Sequence, residues 1–285
     1  MHTQSGTPVP AALGPALPPP LLDRLPTPPY LPGLESTTPI READSWLRDA
    51  VLGPFSGDIV EYLRLARNTG GPILDLGSGA GRLAVPFARH GFPVTAVDRD
   101  RPGLRRLHAW AADLGPQVAR LVTTVRADLE RLRLRDHYQL AVLAGAMVTA
   151  VSPRARPALL HEVAAHLGAG GALALDYTEH EPAGLLAHPR RTWAFEVPRV
   201  DGVTEWVVAR QVFDPDTGRE HLTYQCERTE KSRVRRSVLT TDKWVVDRGR
   251  LTAELAAAGL RIADRRCRRL DARTRSVLLV CHTAT

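Results

Sequence analysis

The chain is 285 residues long, 44% apolar and 24% charged, with a formal net charge of +7. That is the composition of a folded globular chain and excludes wholesale disorder, while the longest apolar run, residues 138–151, falls short of the ~18 residues a membrane span needs. Lys231 and Lys243 are the only lysines, and so one-sided a preference for arginine, beside abundant Ala, Gly and Pro, reads as a GC-rich genome rather than a nucleic-acid surface.

Residues 1–40 hold eleven of the 23 prolines. Each lacks an N–H donor and fixes φ, so this N-terminal arm is neither a regular helix nor a central strand. It has no basic start followed by an apolar stretch, so no secretory leader is expected. Residues 41–67 carry two helical patterns. In the second, Ser56 stands as a cap while Ile59, Leu63 and Ala66 share a face.

A strand–helix alternation follows. Residues 72–76 (PILDL) read as a strand, and 82–90 as a helix closed by Gly91, with Pro86 one turn in. Residues 93–98 read as a strand, 101–114 as a helix, 121–126 and 140–144 as strands. Ser152 and Pro153 open a helix to residue 167 that Gly168 closes, and residues 171–177 (GALALDY) form a fifth strand. Such a rhythm predicts a parallel sheet covered on both faces. In residues 193–246 the period becomes two, as in VTEWVVARQVF and HLTYQCE joined by DPDTG, which predicts an antiparallel insertion over residues 181–246. Residues 247–285 return a helix (250–258) and two strands (261–270 and 276–281) to the main unit. The expected fold is α/β, a doubly wound, mostly parallel seven-stranded sheet, with residues 41–180 as its ligand-binding part.

The informative segment is ILDLGSGAGR, residues 73–82. A buried strand delivers Asp75, and Gly77, Ser78, Gly79 and Gly81 turn the chain into a helix. Glycine suits a backbone that approaches a ligand closely, and exposed N–H groups at the helix start suit a carboxylate or phosphate. The spacing is GxGxG, and Arg82 stands where a nicotinamide or flavin enzyme wants Gly or Ala. Asp98 ends the next strand about 20 residues on, where an acid accepts the ribose hydroxyls of an adenosine cofactor.

These segments, with VTAVDRD, VRADLERL and AVLAGAM following in order, resemble the class I S-adenosylmethionine-dependent methyltransferases over roughly residues 70–180. Within that group the GRL-x-x-PF helix start (Gly81, Arg82, Leu83, Pro86, Phe87) and the late insertion resemble bacterial natural-product enzymes that N-methylate peptide amines. The resemblance implies a Rossmann-like fold and S-adenosylmethionine as cofactor. It implies that Asp75 and the turn from Gly77 to Gly81 hold the methionine end, with Arg82 near its carboxylate. Asp98 would take the ribose hydroxyls and Arg99 would lie beside the adenine. Asp128 and Leu129 would face the adenine ring, and Ala144, Gly145 and Ala146 would line the sulfonium. The alternative for Asp98 and Asp128 is a pair of strand-end carboxylates capping turns.

Other patterns point elsewhere or nowhere. His161 and His166 are five apart, about 140° around a helix, whereas a zincin pair needs a spacing of four. Thr27-Pro28-Pro29-Tyr30 echoes a base amino-methylation motif, but that motif ends a fourth strand, a place held here by Ala144-Gly145-Ala146-Met147. The arginines of residues 265–275 read as the solvated face of a strand, and Trp193, Trp206 and Trp244 as core or interface anchors. Cys226, Cys267 and Cys281 are odd in number and widely spaced, which argues against disulfides and zinc and fits the cytoplasm.

Methyl transfer demands no fixed catalytic residue, because the cofactor supplies the reactivity. Tyr177, Glu179 and His180, beyond the fifth strand, are the pocket candidates, and no metal site is expected. The expected partner is a small-molecule or peptide acceptor of secondary metabolism, methylated on an amine, with no membrane or nucleic acid. A homodimer contact through the insertion accompanies this. O-methylation, RNA methylation and cofactor binding without turnover remain as alternatives.

Overall fold

The computed structural model describes residues 57–198, 204–230, 233–270 and 272–283; the proline-rich arm, the first helical pattern and Ser56 lie outside them. Helix α1 (Gly57–Thr69) leads into β1 (Ile73–Leu76), α2 (Ala84–Arg89), β2 (Val94–Asp98), α3 (Arg101–Asp113), α4 (Pro116–Arg120) and β3 (Val122–Arg126). Then come β4 (Tyr138–Leu143), α5 (Arg156–Ala165), β5 (Leu167–His180) and α6 (Pro182–Ala187). Pro86 does not break α2, because it sits in the first turn, where the N–H has no helical partner. The helix expected from Ser152 starts only at Arg156, since the Ser152 carbonyl is taken by the turn N–H groups of Ala155 and Arg156. Gly168 does not close that helix; it lies inside β5, which is twice the expected length.

The main sheet has the order β10-β11-β5-β4-β1-β2-β3, where β10 (Leu260–Arg269) and β11 (Thr274–Thr283) are the closing strands. Strands β1 to β5 pair in parallel, and β11 runs antiparallel to both neighbours. Alternation along each strand splits the core into two layers. Leu74, Leu76, Leu173, Leu175 and Tyr177 pack with Leu159 and Leu160 of α5 and with Leu251 and Leu255 of α7 (Arg248–Ala257). Ile73, Ala172 and Ala174 pack with Tyr62 and Leu65 of α1, Phe87 of α2 and Leu107 of α3. Asp75 and Asp176 therefore lie on the α1 face by strand periodicity.

A separate antiparallel sheet follows α6, in the order β6 (Arg190–Pro198), β7 (Thr204–Asp214), β8 (Arg219–Glu230) and β9 (Arg233–Trp244). Asp214–Gly218 forms the β7–β8 turn, with the Gly218 N–H donating to the Asp214 carbonyl at 2.9 Å. The inner face carries Val207, Ala209, Leu222, Tyr224, Cys226 and Leu239, with Trp193 packed against them. Trp206 is 54% exposed, and Trp244 lies under the Arg219 guanidinium. The arginines of β10 are not simply a solvated face: Arg265 pairs with Glu179 at 3.0 Å, and Arg266 pairs with Glu61 at 2.8 Å and with Asp264 at 2.7 Å. All three cysteines are free thiols.

One ion pair sits inside the α5–α7 layer. Arg156 is 1% exposed and binds Glu254 of α7 through Nε and through Nη2, the latter at 3.2 Å. Removing one partner of such a pair strands the other charge, which costs about 3–5 kcal/mol. Glu254→Ala is expected to lower urea-unfolding stability by that amount. Replacing both, as in Arg156→Met with Glu254→Leu, should recover most of it, and equal losses in the single and double variants would contradict this reading of the pair.

Candidate functional site

The glycine turn is tied down before any ligand arrives. The N–H groups of Gly77 and Ser78 donate to the Val97 carbonyl of β2 at 2.8 and 3.1 Å. Gly77 has φ +77°, and a Cβ there would stand 2.7 Å from Met147; Gly81 has φ +95°, and its Cβ would meet Leu107 at 2.7 Å and Val85 at 2.9 Å. Packing against the protein's own side chains thus requires these glycines, alongside the ligand approach argued from sequence.

The two strand-end acids both cap turns. Asp98 accepts from the Gly79 N–H through Oδ2 at 2.8 Å and from the Asp100 N–H through Oδ1 at 2.8 Å. Each carboxylate oxygen retains a lone pair for a further donor. Asp128 is exposed and accepts from the Glu130 N–H at 3.0 Å, while Leu129 is buried in the α5–α7 layer. Arg99 is exposed, and its carbonyl accepts from Arg126 Nε at 3.4 Å.

On the α1 face a polar network crosses the carboxyl ends of β1, β4 and β5. Asp176 accepts from the Tyr62 hydroxyl at 2.6 Å, from the Gly145 N–H at 3.0 Å and from the Ala146 N–H at 2.6 Å. Ala146 is held in the left-handed region, with φ 56°. Ala144, just ahead of these two, is buried. Arg82 pairs with Asp58 at 2.6 Å. Sequence reasoning missed Asp58, Tyr62 and Asp176. The signal for the first two was their i, i+4 spacing on one helical face, and for the third a lone acid in an otherwise apolar strand.

Burial dominates the electrostatics here. It pushes the Asp75 carboxyl up to about 7, with the Arg82 charge opposing the shift. It likewise raises Asp58 against the pull of Arg82, and Asp176 against the hydrogen bonds from Tyr62, Ala146 and Gly145. Asp58 Oδ2, Asp75 Oδ2 and Ser78 Oγ are buried without a hydrogen-bond partner. Orphaned acceptors of that kind are costly unless a ligand supplies donors.

The pocket candidates separate. Tyr177 packs into the α5–α7 layer and Glu179 is held by Arg265, whereas His180 follows Asp176 on the α1 face by the period of β5. There His180 Nε2 stands 3.6 Å from Glu220 Oε2 of the insertion, and Gln211 Nε2 donates to the same oxygen at 2.7 Å. Among the described residues no group of three His, Cys, Asp or Glu side chains is placed to hold a metal, and no helix is long and apolar enough to cross a membrane.

A family model described as "Methyltransferase domain" matches residues 73–171. Among solved structures, the CcbJ methyltransferase from Streptomyces caelestis is similar, with 21% identity, a TM-score of 0.67, and 86% of this chain and 98% of that one covered. An amino pentose methyltransferase from Micromonospora echinaspora, involved in calicheamicin biosynthesis and solved with S-adenosylmethionine, is 20% identical (TM-score 0.63), covering 86% of this chain and 96% of that one. The glycopeptide N-methyltransferase MtfA with S-adenosyl-L-homocysteine is 20% identical (TM-score 0.57), covering 81% and 88%. No curated protein sequence matches the chain. The orphaned oxygens beside the glycine turn fit the donors of the methionine end of S-adenosylmethionine.

The raised carboxyls carry a stability signature. The folded protein holds these protons to higher pH than the unfolded chain, so it binds more protons from about pH 4 to 7, and stability of the free protein falls as pH rises through that window. Asp75→Asn removes one share of that cost. At pH 8 it should be more resistant to urea than the parent, by ~1.4 kcal/mol for each pKa unit relieved, with the two curves converging near pH 4. Parallel pH dependences would mean that Asp75 ionises normally.

Proposed function

We propose, from the premise that residues 73–171 are the methyltransferase domain of an S-adenosylmethionine-dependent enzyme, that the protein methylates an amine nitrogen of a small molecule or peptide in secondary metabolism. The observation that carries this reading is the acidic excess at the carboxyl ends of the strands. Asp58, Asp75 and Asp176 are set against the single charge of Arg82, and burial raises all three carboxyls. Such a site favours cations. The cofactor is one, through its sulfonium and α-ammonium, and an amine acceptor in its ammonium form is another. Two of the similar structures, a glycopeptide N-methyltransferase and an amino pentose methyltransferase, support the choice of nitrogen-bearing acceptors.

In this reading Asp75 and Ser78 take the α-ammonium with their unpartnered oxygens, and the backbone of the Gly77–Gly81 turn cradles the same end. Arg82, fixed by Asp58, faces the carboxylate. Asp98 adds the ribose hydroxyls to its two backbone donors, Arg99 lies beside the adenine, and Asp128 and the Leu129 backbone meet the ring. Ala144, Gly145 and Ala146 line the sulfonium, with the last two pinned by Asp176. The bound cofactor supplies an electrophilic methyl group; the protein aligns the nucleophile with it and keeps water out. The insertion sheet closes over the carboxyl ends of the strands, where open α/β sheets bind ligands, and the His180–Glu220 contact supports that placement.

Isothermal titration should show binding of S-adenosylmethionine and S-adenosylhomocysteine and none of NAD. Asp98→Ala should weaken the cofactor by ~1.5–3 kcal/mol, the scale of hydrogen bonds to a charged group. An unchanged dissociation constant would remove Asp98 from the ribose site. Transfer itself is tested with methyl-labelled cofactor and a panel of peptide amines, amino sugars and phenols. Label on amines, at a rate that rises with pH and then flattens, is the expected result. Label confined to hydroxyls would overturn the choice of nitrogen while leaving the methyltransferase in place.

A further inference from the structure

The inner face of the insertion sheet is apolar along most of its length and polar at one end. Gln211 on β7, Glu220 on β8 and Lys243 on β9 share that end, with Glu220 and Lys243 directly opposite across the β8–β9 ladder. Glu220 is 6% exposed and Gln211 3%. Burying a carboxylate there is expensive unless donors and a counter-charge meet it. Oε2 accepts from Gln211 at 2.7 Å and lies 3.6 Å from His180 Nε2. The Lys243 ammonium feels both Glu220 and Asp176, and burial pushes it toward its neutral form. Glu220 is thereby linked, through Lys243, to the carboxylate that holds the Gly145 and Ala146 N–H groups.

We infer that Glu220 is the acceptor-binding residue of this enzyme: Oε1 pairs with the acceptor ammonium and takes the proton that must leave before nitrogen can attack, with His180 as its relay. The inference rests on the amine reading above. An ammonium has no lone pair, so one N–H bond must break first, its electrons staying on nitrogen and its proton passing to the Glu220 carboxylate. The freed pair then forms the bond from nitrogen to the methyl carbon while the carbon–sulfur pair goes to sulfur. The methylated ammonium and S-adenosylhomocysteine are the products, and no other reactant is needed. His180 also lines a small cleft with Glu181, Gly184, Arg191 and Arg273, which gives the proton a way off Glu220. Among the described residues the ionisable groups around Glu220 include His180 from β5, Arg191 on β6 opposite Gln211, Lys243 from β9, Asp176 beyond Lys243, and Tyr224 two turns of the pleat along β8, whose phenol burial pushes up. Gln211 has no charge to add; its role is to orient the carboxylate.

The test uses the full chain with labelled cofactor and two probes, a methyl amino-pentoside and a short peptide with a free N-terminus. Glu220→Gln keeps the shape and removes the charge. It should bind S-adenosylhomocysteine as the parent does and lose about a hundredfold in kcat/KM on the amine probes. Glu220→Asp, which keeps the charge, should recover part of the loss. His180→Asn should lower kcat with KM nearly unchanged, as a relay that does not touch the acceptor would. Full activity of Glu220→Gln on an amine overturns the role of Glu220 and leaves the amine reading standing. Absence of label from both amines in the parent enzyme, with label on a phenol instead, overturns both.

Discussion

A carboxylate taken out of water at the end of a buried strand costs several kcal/mol, and Asp176 offsets that cost with donors from three separate parts of the chain. The Tyr62 hydroxyl comes from α1, and the Gly145 and Ala146 N–H groups come from the turn after β4. None of these donors is optional, because each lost bond would leave a buried charge less well solvated. The result is that one side chain sets the distance between α1, β4 and β5 at the place where the cofactor's reactive end is expected. Ala146, in the left-handed region with φ 56°, is one of these donors, at 2.6 Å from Asp176.

Beside this well-bonded carboxylate the rest of the site is chemically unsatisfied. Asp176 is fully bonded, whereas Asp58, Asp75 and Ser78 each keep an oxygen without a partner. Arg82 lies among these acids and pairs with only one of them, Asp58. The free protein thus carries an electrostatic debt on the α1 face, expressed as carboxyls raised by burial. A cationic ligand with N–H donors relieves it. Stability of the empty protein and affinity for such a ligand are opposed at these positions, and Asp75 is where the opposition is sharpest.

Much of this was legible in the sequence, for reasons that differ by element. The strand–helix alternation from residue 72 onward follows from hydrophobic period and glycine placement, both local properties, and the structure differs mainly at element ends. The exception is the segment around Ser152, where an open turn delays α5 to Arg156 and Gly168 enters a strand lengthened to residue 180. That lengthening reassigns three residues: Tyr177 and Glu179 turn to the α5–α7 layer, and His180 alone follows Asp176. Glycine at 77 and 81 was read as room for a ligand, yet Met147, Leu107 and Val85 already fill the space a Cβ would need. What could not be read is the convergence of Asp58, Tyr62, Arg82 and Asp176, or of His180 with Glu220. Those pairs are far apart in the chain, and only the sheet order brings them together.

Proton accounting of cofactor binding tests this account most directly. At pH 7 the Asp75 carboxyl, with its pKa pushed up to about 7, is about half protonated in the free protein, and an arriving α-ammonium stabilises the ionised form. Titration calorimetry with S-adenosylmethionine, repeated in buffers of different ionisation enthalpy, counts the protons exchanged. The predicted result is release of up to about half a proton at pH 7, abolished in Asp75→Asn. Binding with no proton exchange at pH 7, or with proton uptake, would contradict a site built from buried acids waiting for a cation.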